Sequence, residues 1–164
     1  MSDVDTPSRD LSLLAPGFRK AILAAIADCE AKGFPVKVNE AFRSQARQAQ
    51  LFAQGRTRPG DKVTNAPTSL TSWHGYGLAI DVIHLKLAYW PHGKDKAAAP
   101  KNEKWFRDIS VIFKEHGCTW GGDWKNPDTP HMQWGRCTAS PTDGSRLVFR
   151  TKGVDAVWDA LKAL

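Results

Sequence analysis

Two long stretches of the chain repeat their apolar residues every three to four positions, as the buried face of an α-helix requires. The first begins at Pro16 and is ended by Gly-Phe-Pro at residues 33–35, and the second covers residues 101–117. The apolar residues of the second stretch are Trp105, Phe106, Ile109, Ile112 and Phe113. A glycine at position 117 suits the left-handed conformation that ends a helix. We therefore predict two amphipathic helices, and a short third helix that Ser44 caps and that continues to residue 54.

Shorter segments with alternating or β-branched residues predict strands. Residues 36–42 (VKVNEAF) and 77–83 (GLAIDVI) form two of them, and residues 131–134 form a third. In GLAIDVI, alternate apolar residues occupy one face, which places Asp81 on the other. That second face is also mostly apolar, so the Asp81 carboxylate requires a partner.

The other segments predict loops and a helical tail. Residues 55–72 lack hydrophobic periodicity and contain Gly, Pro and Asn, which is typical of a functional or disordered loop. Residues 84–90 extend the second strand or form one arm of a hairpin, and residues 91–100 form a loop. Residues 118–130 are rich in turn residues and lead into the strand at 131–134. In the tail, RLVF at residues 146–149 is compatible with a strand, and a helix runs from about residue 153 to the end.

The composition is that of one soluble globular domain. The chain has 164 residues, of which 41% are hydrophobic and 24% are charged. Its net charge of +6 suits an anionic partner such as nucleic acid, a membrane surface or an acidic wall polymer. Because this charge is spread along the chain, plain solubility explains it equally well.

The cysteines and the N-terminal sequence indicate the compartment in which the protein is made. The three cysteines have no paired spacing, which indicates a reducing environment rather than a disulfide framework. The start, MSDVDTPSRD, is polar and partly acidic, unlike a secretory signal. No apolar run approaches the roughly 20 residues that span a bilayer. We expect synthesis in the cytosol, no stable membrane insertion, and release by another factor if the protein acts outside.

The segment SWHGYGLAID combines an imidazole with a carboxylate. His74 and Asp81 are seven residues apart, and glycines between them favour a turn that brings the imidazole over the start of the strand. His131 lies fifty residues beyond Asp81 on another predicted strand. Two histidines and one carboxylate are a recurrent ligand set for catalytic zinc, with the fourth position open to water. By spacing alone, this pattern only suggests a metal site.

Asp128 is the candidate proton acceptor, because it precedes His131 by three residues and can lie beside the metal without binding it. A zinc hydrolase needs a carboxylate that takes a proton from water and gives it to the leaving amine. Asp123 is the rival candidate. A purely structural reading of Asn-Pro-Asp-Thr-Pro as a turn remains open as well.

Arg43 and several tryptophans are the candidates for substrate contacts. Arg43 follows the first predicted strand, and a fixed guanidinium can stabilise the oxyanion formed from a peptide carbonyl. Six of the seven tryptophans lie between residues 73 and 134. Trp73, Trp124 and Trp134 flank the proposed ligands and are predicted to line a substrate groove, whereas Trp105 and Trp120 suit core packing.

Four blocks of the sequence resemble the M15 zinc peptidases that act on bacterial cell-wall peptides. The blocks are AFRSQARQAQLFAQGRTRPGDKVTNA, SWHGYGLAIDV, WGGDW and DTPHMQW. They occur in the family's order within roughly residues 12–135. The phage L-alanyl-D-glutamate endopeptidases are the most similar group, and D-alanyl-D-alanine carboxypeptidases and vancomycin-resistance dipeptidases are more distant.

The resemblance implies an α+β fold of the Hedgehog/D,D-peptidase type, a small antiparallel sheet with packed helices in a single domain. It divides the chain into a flexible lead-in at residues 1–10, a catalytic region at 11–135, and an extension at 136–164 that ends in a helix and belongs to the same domain.

The resemblance also implies roles for individual residues. The family motif SxHxxGxAxD falls on Ser72, His74, Gly77, Ala79 and Asp81. His74, Asp81 and His131 would then bind one catalytic zinc ion. In the same way Asp128 becomes the catalytic acid, Arg43 steadies the scissile carbonyl, and Ser72 supplies a hydrogen bond near the substrate.

The function that the resemblance implies is that of a phage endolysin. Such an enzyme hydrolyses the L-alanyl–D-glutamate bond of peptidoglycan stem peptides and reaches the wall after release by a holin. We expect a monomer without a nucleic-acid partner. One alternative is a D-alanyl-D-alanine carboxypeptidase, which must hold a terminal carboxylate. A second alternative is a zinc-bearing wall-binding module without activity. A third is a nucleic-acid binder, for which the positive charge is the sole argument.

Overall fold

Four antiparallel strands form the sheet on which the candidate site is built. They are β1 (Val36–Glu40), β2 (Ala79–His84), β3 (Cys118–Trp120) and β4 (His131–Trp134), in the spatial order β1-β2-β4-β3. The computed structural model describes residue 4, residues 6–86 and residues 99–164, without the side chains of residues 99 and 100. The predicted α+β fold, a small antiparallel sheet with packed helices, is confirmed.

Five α-helices surround the sheet in the described part of the chain. They are α1 (Pro16–Ala31), α2 (Gln45–Ala53), α3 (Ala99–Glu115), α4 (Asp143–Lys152) and α5 (Val154–Ala160). Short 3-10 turns occupy Leu11–Leu13, Ser69–Thr71, Trp73–Tyr76 and Gly121–Asp123. Among these helices, none has the length and apolar character that crossing a membrane requires.

One apolar cluster joins α1 and α3 to one face of the sheet. Its fully buried members include Phe18 and Ile22 from α1, Phe106 and Phe113 from α3, and Ile80, Val82 and Met132 from the sheet. The alternation predicted for β2 is therefore confirmed, because Ile80 and Val82 are buried in this core. Asp81 faces the opposite side, and the site is assembled there.

Most predicted elements are confirmed, with shifted ends. Ser44 caps α2 by accepting a hydrogen bond from the Arg47 N–H at 3.2 Å. Helix α3 begins two residues before its predicted start, and β2 ends at His84. Residues 87–98, where the rest of the predicted arm and most of the predicted loop fall, lie outside the described residues.

Two expectations about the second half of the chain are wrong. The RLVF segment is part of helix α4 and not a strand, because Thr142 caps this helix by accepting a hydrogen bond from the Ser145 N–H. A short apolar run does not distinguish the two structures by itself. Cys118–Trp120, predicted as part of a turn-rich segment, forms strand β3 and pairs with β4.

A bulge in β1 decides which way Glu40 points. Val38 lies opposite Val82, but the register then shifts, and Glu40 lies opposite Asp81. An extra residue in one strand reverses the side of every residue that follows it. Regular alternation would have placed Glu40 on the same face as Val38. The bulge instead brings this buried carboxylate to the face that carries Asp81.

Candidate metal centre

Two adjacent strands and one turn bring the three predicted ligands together. Asp81 on β2 lies directly opposite His131 on β4, so their side chains share one face of the sheet. His74 lies on the 3-10 turn Trp73–Tyr76, which ends at Gly77 with a φ of 65°. A side chain at Gly77 would approach the Leu13 carbonyl oxygen to 2.5 Å, so this turn requires glycine. The turn places His74 over the start of β2, as predicted.

The donor atoms of the three residues converge. One carboxylate oxygen of Asp81, Oδ1, lies 3.4 Å from His74 Nε2 and 3.5 Å from His131 Nδ1. All three ligand atoms lie within 4.8 Å of one another. Both imidazoles are almost completely buried, and their ring centroids are 5.1 Å apart.

The backbone after β1 fixes the orientation of His74. His74 Nδ1 lies 2.8 Å from the Ala41 carbonyl oxygen, and the His74 carbonyl accepts a hydrogen bond from the Arg43 N–H at 3.1 Å. Because a carbonyl can only accept, Nδ1 carries a proton, which leaves Nε2 as the nitrogen that can bind a metal beside Asp81. His74 is therefore held in the tautomer that a metal ligand needs.

Arg43 holds the other carboxylate oxygen of Asp81. Its Nη2 donates to Asp81 Oδ2 at 3.2 Å and to Glu40 Oε2 at 2.7 Å, and its Nε donates to the same Glu40 oxygen at 3.1 Å. Nη1 donates to the buried Gln48 at 3.1 Å. Glu40 also receives the Arg47 Nε–H at 2.9 Å. The guanidinium thus fixes Asp81 so that Oδ1 faces the histidines.

These contacts set the protonation states of the cluster. Burial disfavours a charged Asp81, but His74, His131 and the Arg43 guanidinium hold the pKa of Asp81 well below its usual range. For His131, burial alone would lower the pKa. The Asp81 carboxylate, which is hydrogen bonded to the ring, and the charge of Asp128 together raise the pKa of His131 above its ordinary value.

Asp128 lies at the edge of this cluster on the turn that leads into β4. Its N–H donates to the Gly121 carbonyl at 2.9 Å, and its own carbonyl accepts from the His131 N–H at 3.2 Å. The pKa of Asp128 is raised, first by loss of hydration and then by repulsion from the Asp81 carboxylate. Because Asp128 is an exposed residue, we give the repulsion from Asp81 the greater weight. A carboxylate in this position can accept a proton near neutral pH more readily than an ordinary aspartate.

Asp123, the rival candidate, has a different partner. Its carboxylate forms an ion pair with Lys114 of α3 at 2.6 Å, and both side chains are about half exposed. It is not a member of the cluster that could hold a metal. This geometry favours Asp128 over Asp123 as the proton acceptor.

The three tryptophans predicted to line a groove occupy different surroundings. Trp124 is half-buried, and its ring centroid lies 5.0 Å from that of His131. Trp73 is buried, and its indole N–H donates to the Thr138 carbonyl at 2.6 Å. Trp134 packs against Phe18 and donates to the Leu161 carbonyl at 2.8 Å. Only Trp124 of these three is placed beside the cluster, and the other two bind the C-terminal segment.

The donor set fits zinc. Two imidazole nitrogens and one carboxylate oxygen are the protein ligands of a common type of catalytic zinc site. Ligands about 2.0–2.1 Å from a tetrahedral ion lie roughly 3.3–3.4 Å from one another. The separations of 3.4 and 3.5 Å from Asp81 Oδ1 match that edge length. Both histidines also have outer partners on their second nitrogens, as zinc-binding histidines usually do.

Comparison with known proteins decides the family. A profile described as D-alanyl-D-alanine carboxypeptidase, of the M15_4 peptidases, matches residues 65–134. The chain is 37% identical over 137 residues to the peptidoglycan L-alanyl-D-glutamate endopeptidase CwlK of Bacillus subtilis (strain 168). This match covers 81% of the chain and 78% of CwlK. The chain belongs to the M15 peptidases.

Solved structures support the fold of this M15 peptidase. The Serratia marcescens L-Ala D-Glu endopeptidase ChiX matches with a TM-score of 0.53 and 22% identity, over 76% of this chain and 82% of ChiX. The vancomycin resistance D,D-pentapeptidase VanY, solved with Zn(II), matches with a TM-score of 0.51 and 11% identity, over 85% of this chain and 80% of VanY. At these identities the likeness concerns the fold alone.

The site of this M15 peptidase also contains residues that the sequence did not indicate. Glu40 and Gln48 hold Arg43, and Gln133 contacts His131 Nε2 at 3.0 Å. Glu40 was not predicted because the bulge changes the face of the sheet on which it lies, and an alternation pattern does not predict a bulge. Gln133 had one available signal, because it is two residues from His131 on the same strand and therefore on the same face.

Proposed function

We propose that this M15 peptidase is a zinc-dependent enzyme that hydrolyses the L-alanyl–D-glutamate bond of peptidoglycan stem peptides. The observation that carries the proposal is the 37% identity to CwlK over most of both chains, together with the converging donors of His74, Asp81 and His131. Neither observation is sufficient alone, because the first names a reaction and the second provides a site for its metal.

His74 Nε2, Asp81 Oδ1 and His131 Nδ1 would hold the zinc ion. When bound, zinc supplies the Lewis acidity that polarises the scissile carbonyl and makes water nucleophilic at neutral pH. The protein contributes orientation. Ala41 fixes His74, and Arg43 fixes Asp81, so two of the three donors are oriented before the ion binds.

Asp128 moves the proton in this proposal. Its carboxylate accepts a proton from the attacking water and returns it to the amine of the leaving D-glutamate residue. The raised pKa of Asp128 suits this role, because it makes the group a stronger base than an ordinary aspartate. Ser72 and Trp124 are proposed to contact the peptide on either side of the scissile bond.

The contacts of Arg43 favour an endopeptidase over a carboxypeptidase. A carboxypeptidase must bind the terminal carboxylate of its substrate with an available cation. All three donor groups of Arg43 are already used by Glu40, Gln48 and Asp81. Arg43 is therefore better placed to steady Asp81 than to bind the terminal carboxylate of a substrate.

The D-alanyl-D-alanine carboxypeptidase is the second candidate, because the matching family profile carries that description. Digestion of purified peptidoglycan followed by mass spectrometry separates the two reactions. New N-terminal D-glutamate residues, lost after zinc is removed by a chelator and restored by added zinc, would support the endopeptidase. Release of single D-alanine residues would favour the carboxypeptidase, and an absence of any product would favour a wall-binding module.

For the biological role we propose a monomeric phage endolysin that a holin releases from the host cytoplasm to the wall. The support is the resemblance of four sequence blocks to phage enzymes, whereas CwlK comes from a bacterium. Expression in a Gram-negative host with and without a holin tests this role. Lysis that requires both proteins agrees with it, and slow growth-linked changes in the wall without lysis would indicate a remodelling enzyme.

A further inference from the structure

The carbonyl oxygen of Thr138 accepts hydrogen bonds from two buried side chains, Trp73 and Gln133. Trp73 Nε1 donates to it at 2.6 Å, and Gln133 Nε2 lies 2.9 Å from it. Trp73 and Gln133 are 2% and 1% exposed, so no solvent competes for these hydrogen bonds. Thr138 belongs to the segment after β4, which the sequence leaves without a role.

This carbonyl fixes which end of the Gln133 amide points toward it. A carbonyl oxygen can only accept, so the amide must present its NH₂ group to Thr138. The amide oxygen then points the other way, and it lies 3.0 Å from His131 Nε2. The reverse orientation would place two acceptors together in a buried position, which is costly.

We propose that Gln133 is a positioning residue that sets the tautomer of His131, and that the C-terminal segment imposes this tautomer through the Thr138 carbonyl. Since the Gln133 oxygen accepts, His131 Nε2 must carry the proton. Nδ1, which faces Asp81, then presents its lone pair to the metal. This inference rests on the proposed function only in treating His131 as a metal ligand.

Further hydrogen bonds hold the C-terminal segment in place. The Trp134 indole donates to the Leu161 carbonyl at 2.8 Å, and the Trp158 indole donates to the Tyr76 carbonyl at 2.7 Å. Tyr76 lies on the same short turn as His74. The segment from residue 136 onward is thus joined both to the turn that carries one ligand and to the strand that carries another. We therefore assign to this C-terminal segment the role of holding His74 and His131 in position.

Nitrogen-resolved NMR of the zinc-loaded protein tests the inference without relying on activity. We expect His131 to bind zinc through Nδ1 and to carry on Nε2 a proton that exchanges slowly with solvent, because Gln133 accepts it. In Gln133→Met, which has a similar shape but no amide, we expect this proton to exchange much faster. The matched control is Ser110→Ala on α3, because Ser110 is equally buried and also donates to a backbone carbonyl, that of Arg107, at 2.8 Å. That control should leave the His131 signals as in the natural protein.

Gln133→Glu is the second variant. A carboxylate still accepts from His131 Nε2 but faces the Thr138 carbonyl with a second acceptor. We expect it to retain the Nε2–H tautomer while lowering the melting temperature. Zinc ligation through Nε2 of His131 in the natural protein, or an unchanged exchange rate of the Nε2 proton in Gln133→Met, would overturn the inference. If Gln133→Met does not fold, the natural protein and Gln133→Glu still decide it.

Zinc ligation and peptidoglycan cleavage together separate this inference from the proposed function. Loss of an outer partner of a histidine ligand typically weakens metal binding about 10–100-fold, and we expect that loss in Gln133→Met. If the natural protein binds zinc through His131 Nδ1 with the slowly exchanging Nε2 proton but cleaves no peptidoglycan, the positioning role stands and the proposed function fails. If it cleaves the L-alanyl–D-glutamate bond but His131 binds zinc through Nε2, the proposed function stands and the positioning role fails.

Discussion

Asp81 and His131 occupy directly opposed positions on the neighbouring antiparallel strands β2 and β4. Two proposed metal ligands are therefore placed by sheet register, which a packed core holds rigidly, and not by flexible loops. His74 is added from a turn that Gly77 closes. The arrangement explains how donors fifty residues apart in sequence come within 3.5 Å of each other.

Asp128→Asn should separate metal binding from turnover. The variant keeps the size and the backbone contacts of the residue but cannot accept a proton. We expect zinc content, measured by inductively coupled plasma mass spectrometry, to remain at one ion per chain. We expect kcat to fall about 10²–10⁴-fold, because that is the usual contribution of a general base.

Asp123→Asn is the matched control for this experiment. It changes the same type of side chain five residues away, but that side chain pairs with Lys114 on the surface. We expect its kcat to stay within about twofold of the natural protein, since exposed ion pairs contribute little to the fold. A large loss in Asp123→Asn with normal turnover in Asp128→Asn would reverse the assignment.

The sequence predicted the ligands better than it predicted their support. His74, Asp81 and His131 could be proposed because their types and order are unusual and because the resemblance added a family motif. The bulge that turns Glu40 toward Asp81 depends on strand pairing, and pairing is not visible in a single strand. Gln133 was missed because its function depends on a carbonyl five residues later, whose position depends on the folding of the tail.

Arg43→Met should destabilise the protein strongly. The side chains of Arg43 and Glu40 are only 8% and 6% exposed, so the substitution leaves the Glu40 carboxylate buried without its main partner. Breaking a buried pair in this way typically costs about 3–5 kcal/mol in the free energy of unfolding. Zinc affinity should fall as well, because Asp81 Oδ2 loses its donor. Urea denaturation and zinc titration measure the two effects.

The surface pair formed by Lys104 and Asp108 provides the comparison for Arg43. The Lys104 side chain is 74% exposed, so Lys104→Met should change the free energy of unfolding by only about 0–1 kcal/mol. In the Glu40→Gln background, Arg43→Met should cost about 0.5–3 kcal/mol less than in the natural protein, since contacting residues couple by that amount. Equal costs in both backgrounds would show that Glu40 and Arg43 do not support each other.

Gly121→Ala should damage activity through the turn that carries Asp128. A Cβ at this position would lie 2.5 Å from the Asp128 carbonyl oxygen and 3.0 Å from His131 Cβ. Both neighbours would have to move, and displacing a catalytic group by about 1 Å can cost on the order of 10²-fold in rate. Steady-state kinetics and thermal denaturation together measure the effect.

Gly144→Ala is the contrasting substitution. At that position a Cβ meets only Thr142 Oγ1, at 3.6 Å, within helix α4. We expect a gain of about 0.4–1 kcal/mol in the free energy of unfolding, because alanine reduces the freedom of the unfolded chain. Activity should be unchanged. If both glycine variants behaved alike, close packing at Gly121 would not be the cause of its effect.

The stabilisation that zinc provides should increase as the pH rises. The pKa of His131 in the metal-free protein is raised, so protonated His131 stabilises that form fully below its unfolded pKa of about 6.5. This contribution is lost as the pH rises through the raised pKa of His131 in the folded protein. Zinc competes with the same proton and therefore binds better at higher pH.

Melting temperatures with zinc and with a chelator, recorded from about pH 6 to pH 8, measure this change. The difference between the melting temperatures with zinc and with the chelator should increase steadily with pH. His116→Gln is the control, because His116 pairs with Asp28 between α1 and α3 and contacts none of the proposed ligands. It should leave the pH dependence intact. A difference that narrows as the pH rises would contradict the role of His131.

The most direct measurement compares two defined substrates, a muropeptide with a tetrapeptide stem and one with a pentapeptide stem, by mass spectrometry of the products. Both contain the L-alanyl–D-glutamate bond, but only the pentapeptide ends in D-alanyl-D-alanine. The zinc-loaded protein should cleave both at similar rates and release peptides that begin with D-glutamate. Cleavage of the pentapeptide alone, with loss of a single D-alanine, would contradict the proposed endopeptidase.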